Sequence, residues 1–198
     1  MMRDFIFDYF KEASNLIIES SDRLGEPISD AILMMTNALR SGNKILSCGN
    51  GGSASDAQHF AAELMGRFEV ERGPLSAIAL TTDTSFLTAV ANDYDFDQVF
   101  TRQVKGLGRP GDVLLAISTS GNSRNVLLAV DTARQLRMSV VMLTGAGGGE
   151  LGRLIKPSDC LIQVPHLRTS HVQEVHGLII HCLCQGIDQE LADHASGS

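Results

Sequence analysis

Hydrophobic residues along this chain fall into two alternating patterns: short uninterrupted runs, and longer stretches in which they recur every three or four positions. The first pattern suits a strand buried on both faces and the second an amphipathic helix. Residues 44–68 show the change most sharply. Ile45, Leu46 and Cys48 form a run, Gly49, Gly51 and Gly52 break it, and apolar residues at helical spacing follow. The stretch reads as strand, tight loop and helix, with Ser53 or Ser55 as the expected helix cap. Ahead of it, residues 2–23 and 27–41 read as two amphipathic helices, the second opened by Pro27 in a first-turn position and closed near Gly42.

Behind it, an apolar run at 77–80 leads through a polar turn at 81–85 to a helix from about residue 86. A polar and aromatic loop at 91–96, a helix to Leu107 and an Arg-Pro-Gly-Asp turn at 109–112 come next. The continuous run at 112–118 predicts a third strand, followed by a serine-rich loop and a helix from Arg124. Residues 140–144 predict a fourth strand, a glycine loop leads to a short helix ending at Leu154, and 160–165 predicts a fifth strand. The last helix runs from about 170 to 191, with Val172, Val175, Leu178, Ile179, Leu183 and Ile187 at helical spacing. Repeated strand-loop-helix units imply right-handed crossovers and a parallel sheet covered on both faces, an α/β three-layer sandwich of five strands. Ligands bind such sheets at the carboxyl ends of the strands.

At 198 residues, 43% hydrophobic and 20% charged, the chain has the make-up of one soluble globular domain, with 1–41 as a helical segment and 42–198 as the α/β core. The formal charge of −7, with no cluster of Lys or Arg, argues against direct nucleic-acid binding. Acidic residues interrupt the N-terminal apolar positions, so neither a signal peptide nor a membrane span is expected and the cytoplasm is the expected compartment. Cys48, Cys160, Cys182 and Cys184 lack Cys-x-x-Cys spacing and read as small core residues. Phe5, Phe7, Tyr9, Phe10, Ile17 and Ile18 offer more apolar surface than a lone peripheral helix needs, which points to subunit packing.

Three features carry candidate chemistry. The glycine loop at 49–52 lets a ligand approach the main chain and presents a helix N-terminus to an anion or polar group. His59 and Glu63, four apart on the following helix, share one face and suit either a metal, an acid and base pair, or a plain solvated pair. Ser118, Thr119, Ser120 and Ser123, with Gly121 and Asn122 for the turn, supply hydroxyl and N–H donors that can hold a phosphate monoester without positive charge. Gln173, His176 and His181 lie on the last helix, and periodicity alone does not say which histidine faces a site.

These residues together resemble the sugar isomerase (SIS) domain superfamily and, within it, the bacterial phosphoheptose isomerases. The resemblance runs through S-C-G-N-G-G-S, D-A-Q-H-F-A-A-E-L, A-V-A-N-D-Y, D-V-L-L-A-I-S-T-S-G-N-S, L-T-G and V-Q-E-V-H-x-x-x-x-H, nearly the whole chain. It implies a flavodoxin-like strand order and aldose–ketose isomerisation of a phosphorylated seven-carbon sugar, feeding ADP-heptose and the lipopolysaccharide core. By position it implies sugar contacts at Asn50, Gly51 and Gly52, phosphate contacts at Ser118, Thr119, Ser120 and Ser123, and further substrate contacts at Asn92, Asp93, Glu63 and Gln173. It implies a zinc site at His59, Glu63, Gln173 and His181, with Glu63 as base and His181 as acid, and a homotetramer with sites near subunit boundaries. His171, where relatives commonly have Arg, and Ser170, acidic in some, depart from the pattern and bear on the rim of the site. A regulator of the same fold, the DnaA initiator-associating protein, is the competing resemblance. It lacks the glutamate and second histidine that are present here as Glu63 and His181.

Overall fold

The structure, a computed structural model, describes residues 2–195. Five strands form one parallel sheet: β1 (Ile45–Cys48), β2 (Ala77–Ala79), β3 (Val113–Ser118), β4 (Ser139–Thr144) and β5 (Asp159–Gln163). Their order is β2-β1-β3-β4-β5, the flavodoxin-like arrangement. Side chains alternate across the pleat. Ile45, Val113, Leu115, Ile117, Val141 and Leu143 enter the core under α1 (Met2–Arg40), α2 (Gly52–Met65) and α7 (Thr169–Ala195). Leu46, Leu114, Ala116, Val140 and Met142 enter a second core with α3 (Thr84–Asp93), α4 (Val99–Leu107), α5 (Arg124–Gln135) and α6 (Gly149–Arg153). Every residue of β3 is buried, which is why its apolar run is continuous.

The chain leaves β1 toward β2 by way of α2 on one face, and leaves β3 toward β4 by way of α5 on the other. The sheet therefore reverses its winding between β1 and β3, and a crevice opens where the loops after these strands part. Both the glycine loop and the serine loop lie at this point.

Three local expectations are revised. The two leading helices are one, with Pro27 inside α1. Proline withholds one helical hydrogen bond there, but Leu24, Ala31, Met35 and Ala38 are buried on both sides of it and hold the helix continuous against the core. Second, α2 begins at Gly52 with Gly51 as its N-cap, and no serine side chain caps it. Gly51 takes φ +58° and ψ −122°, a conformation closed to most side chains, so the turn itself sets the helix start. Third, Cys48, Cys160 and Cys184 are buried as expected, whereas Cys182 is exposed. Burial pushes the Cys48 thiol up to about 12, as suits an inert core residue.

Candidate active site

The two loops are joined by a reciprocal amide pair. Asn50 Nδ2 donates to Asn125 Oδ1 at 2.8 Å, and Asn125 Nδ2 donates to Asn50 Oδ1 at 2.9 Å. Asn125 sits in the first turn of α5 and is buried, so the start of that helix is tied to the glycine loop across the crevice. Sequence reading missed it, since a pairing across 75 positions leaves no periodic signal.

The serine loop is built around Gly121. Its N–H donates to Ser118 O at 2.9 Å, and its φ of +67° closes the turn. Ser118 and Ser123 hydroxyls lie 3.0 Å apart, so the Ser123 side chain is engaged there rather than capping α5. Asn122 Oδ1 accepts from the Glu150 N–H at 2.9 Å, and Thr119 O accepts from the Gly145 N–H at 2.9 Å, which docks the glycine-rich 145–149 turn against the loop. A cleft of about 360 Å³ lies between them, lined by Thr119, Ser120, Asn122, Ala146, Gly147, Gly149, His166 and Leu167. Hydroxyls and loop amides line this space, and the positive end of α5 follows the same loop, the chemistry of a phosphate nest.

The remaining candidates lie on α2 and α7, which pack side by side. His59 Nε2 is 3.3 Å from Glu63 Oε1, and the His59 ring meets the His181 ring edge-on with centroids 5.0 Å apart. Phe68 stacks on the other side of His181 at 5.7 Å. His59 therefore touches both the carboxylate and the second imidazole within one chain. Position separates His176 from His181 on α7: His176 is fully buried with Nε2 3.2 Å from Thr144 O, and burial lowers its pKa to about 4. It is a neutral core residue, and His181 is the histidine that faces α2.

Gln173 lies elsewhere. A Cβ at Gly52 would fall 2.1 Å from its Nε2 and 2.3 Å from its Oε1, so its amide rests directly on the Gly52 backbone and would have to swing aside for any larger residue there. Eight residues separate it from His181, roughly 12 Å of helix. Between these points a cleft of about 370 Å³ is lined by Asp56, Ser170, Gln173, Glu174 and Gly177. Asp56, not singled out in the sequence, has its pKa pushed up to about 6 by burial, with His59 acting against that shift.

Two imidazoles and a carboxylate are the donor types zinc takes, and His59 and Glu63 have the spacing of neighbouring ligands. Yet Gln173 stands apart, and among the described residues no three His, Cys, Asp or Glu side chains close on one point. The donor chemistry fits the metal, while the four-residue set does not close within one chain. Asn92 and Asp93 are exposed at the end of α3, with Asn92 Nδ2 donating to Asp93 Oδ1 at 2.8 Å, and among the described residues no hydrogen bond ties them to either loop. Ser170 lines the cleft, but His171 is no rim residue. It is fully buried, with Nε2 3.1 Å from Glu12 Oε2 and Nδ1 2.9 Å from Glu174 Oε2, and it ties α1 to α7. Hydrogen bonding to Glu174 and then to Glu12 raises its pKa against the effect of burial.

Comparison with known proteins agrees with this architecture. The pattern of the SIS domain family matches residues 8–145. The phosphoheptose isomerase of Azoarcus sp. (strain BH72) is 57% identical over 93% of this chain and 94% of its own length. Among solved structures, phosphoheptose isomerase GmhA from Neisseria gonorrhoeae superposes with a TM-score of 0.91 at 49% identity, covering 96% of this chain and 100% of that one. A phosphoheptose isomerase from Francisella tularensis gives 0.93 at 45% identity, covering 96% and 99%. With its switch-point loops, its serine nest and this degree of likeness along nearly its full length, the chain belongs to the phosphoheptose isomerase family of SIS-domain proteins.

Proposed function

We propose that this protein interconverts sedoheptulose 7-phosphate and D-glycero-D-manno-heptose 7-phosphate, moving a carbonyl between C1 and C2 through an enediol. The observation that carries the reading at residue level is the contact of His59 with both Glu63 and His181 on the α2–α7 face, in a chain that also carries a serine loop suited to a phosphate. Glu63 removes the proton from the carbon next to the carbonyl and returns it to its neighbour. His181 protonates the carbonyl oxygen as the enediol forms, and His59 orients both. The phosphate is held by Ser118, Thr119, Ser120 and Ser123, and the sugar hydroxyls by Asn50, Gly51, Gly52, Gln173, Asn92 and Asp93. An acid and base in these roles account for about 10²–10⁴-fold of rate, and stabilisation of the enediol oxygen adds to it.

Zinc belongs to this reading. His59, Glu63 and His181 are its donors, with Gln173 as the weak fourth, and the ion would polarise the sugar oxygens. A homotetramer belongs to it as well. Glu63 lies eleven residues down α2 from Gly52, roughly 17 Å of helix from the loops, which supports a site shared between copies. Phe7 and Phe10, each about two-thirds exposed at 67% and 69%, give the leading helix an apolar face for that assembly. No helix among the described residues is long and apolar enough to cross a membrane, and we place the enzyme in the cytoplasm, supplying heptose for lipopolysaccharide. The retained Glu63 and His181 count against a purely regulatory role.

The test is incubation of purified protein with sedoheptulose 7-phosphate while following the aldose product, beside Glu63→Gln and His181→Ala. Each substitution is expected to lower kcat by about 10²-fold or more, and activity surviving both refutes the assignment. Elemental analysis of the same samples is expected to find zinc, reduced in His59→Ala. Full activity in metal-free protein removes zinc from the reading.

A further inference from the structure

We infer that the strap following α2, residues 66–73, positions the base and the acid relative to each other, with Arg72 and Phe68 as positioning residues; the inference rests on the isomerase reading above. Arg72 turns back across the end of α2. Its Nη2 donates to Glu63 O at 2.9 Å, its Nη1 to Leu64 O at 2.9 Å and Gly73 O at 3.1 Å, and its Nε to Asp188 Oδ1 at 2.6 Å. The last carbonyls of a helix have no partner within it. Here a guanidinium supplies one, at the residue that carries the catalytic carboxylate.

The other end of the tie is on α7. Asp188 follows His181 by seven residues, which at 100° each returns it to within about 20° of the same face. Arg72 therefore clamps the turn of Glu63 to the face of His181. The pair is largely buried, with side-chain exposures of 14% and 6%, which strengthens the ion pair relative to one in bulk water. In the same strap Phe68 stacks on the His181 ring with planes 28° apart, while the edge of His59 fixes that ring from another side. One eight-residue segment thus touches the backbone of the base and the ring of the acid.

Only arginine fits this role. Three nitrogens reach four acceptors in a planar fork, and lysine, a single-point donor, keeps the charge beside Asp188 without spanning both carbonyls. Arg72→Lys is therefore expected to fold and to lose alignment. The double variant Arg72→Leu/Asp188→Leu removes both charges, leaves no buried ion unpaired and is also expected to fold. Phe68→Leu loosens only the stacking arm and carries the test should the others fail to fold.

In steady-state kinetics on folded protein, the expected result is a fall in kcat on the order of 10- to 100-fold with KM within about 3-fold. In ¹H–¹³C spectra the His181 ring resonances are expected to move in Arg72→Lys, although residue 72 is not in contact with that ring. Unchanged kcat with unmoved His181 resonances in folded variants overturns the inference, as does a change confined to KM. Wild-type protein without isomerase activity instead sinks the isomerase reading, and the spectra still judge the strap.

Discussion

Gly121 offers a test of how the serine loop is held. Its φ is +67°, and a Cβ there would lie 2.0 Å from Gly148 O and 2.5 Å from Gly148 C. Gly42, at the turn after α1, also has a positive φ, +77°, but a Cβ there meets nothing within 4 Å. The two therefore separate torsion from crowding. Alanine in a left-handed conformation costs about 1–2 kcal/mol, and this is all that Gly42→Ala should lose. At Gly121 a backbone carbonyl must move as well, which adds about 1–3 kcal/mol by overpacking; the total is about 2–5 kcal/mol. Because Leu151 N–H donates to Gly121 O at 3.0 Å and the 145–149 turn packs here, the shift carries the serine loop with it. Urea unfolding at one fixed protein concentration measures the first effect, since an oligomer's stability depends on concentration. Substrate kinetics measure the second: KM is expected to rise in Gly121→Ala and to stay unchanged in Gly42→Ala. Equal losses of stability with equal KM in the two variants would refute the reasoning.

Asn125→Ala removes two hydrogen bonds and strands the amide of Asn50. A loss of about 1–3 kcal/mol and a raised KM are expected in the same two assays, and unchanged values in both would mean that the crevice loops do not depend on the pair. His176, lowered to about 4 by burial, stays neutral in the folded protein while the unfolded chain takes up a proton below about 6.5. Its contribution to stability is thus complete above 6.5 and is lost progressively as pH falls toward 4, by up to about 1.4 kcal/mol per pH unit. Urea midpoints at pH 7 and pH 5 should differ less in His176→Gln than in wild type; an equal difference contradicts the assignment.

The strands and the two functional loops were legible because their signals are local. A run such as residues 113–118 needs no partner to be read as doubly buried, and glycines or serines at the end of such a run mark the crevice of a parallel sheet. Pro27 misled for the same reason. At the start of a helix it is a strong local sign, and only the burial of Leu24 and Ala31 on either side overrides it. The contacts that escaped notice act over long sequence separations. Asn125 meets Asn50, Arg72 meets Asp188, and His171 meets Glu12, pairs whose periodicity and spacing carry no trace of the contact. His181 came from resemblance rather than from pattern, since an amphipathic helix with several histidines does not announce which one faces a neighbour.

In the proposed reaction, the split between strand-end loops for an anion and helix faces for acid and base has a consequence for retargeting. Substitutions along α2 and α7 can reshape which carbons of a sugar are worked upon while the anchor for its charged tail is left untouched. A library confined to those two faces would therefore explore new polyol substrates while the serine loop proposed to hold the phosphate handle stays as it is.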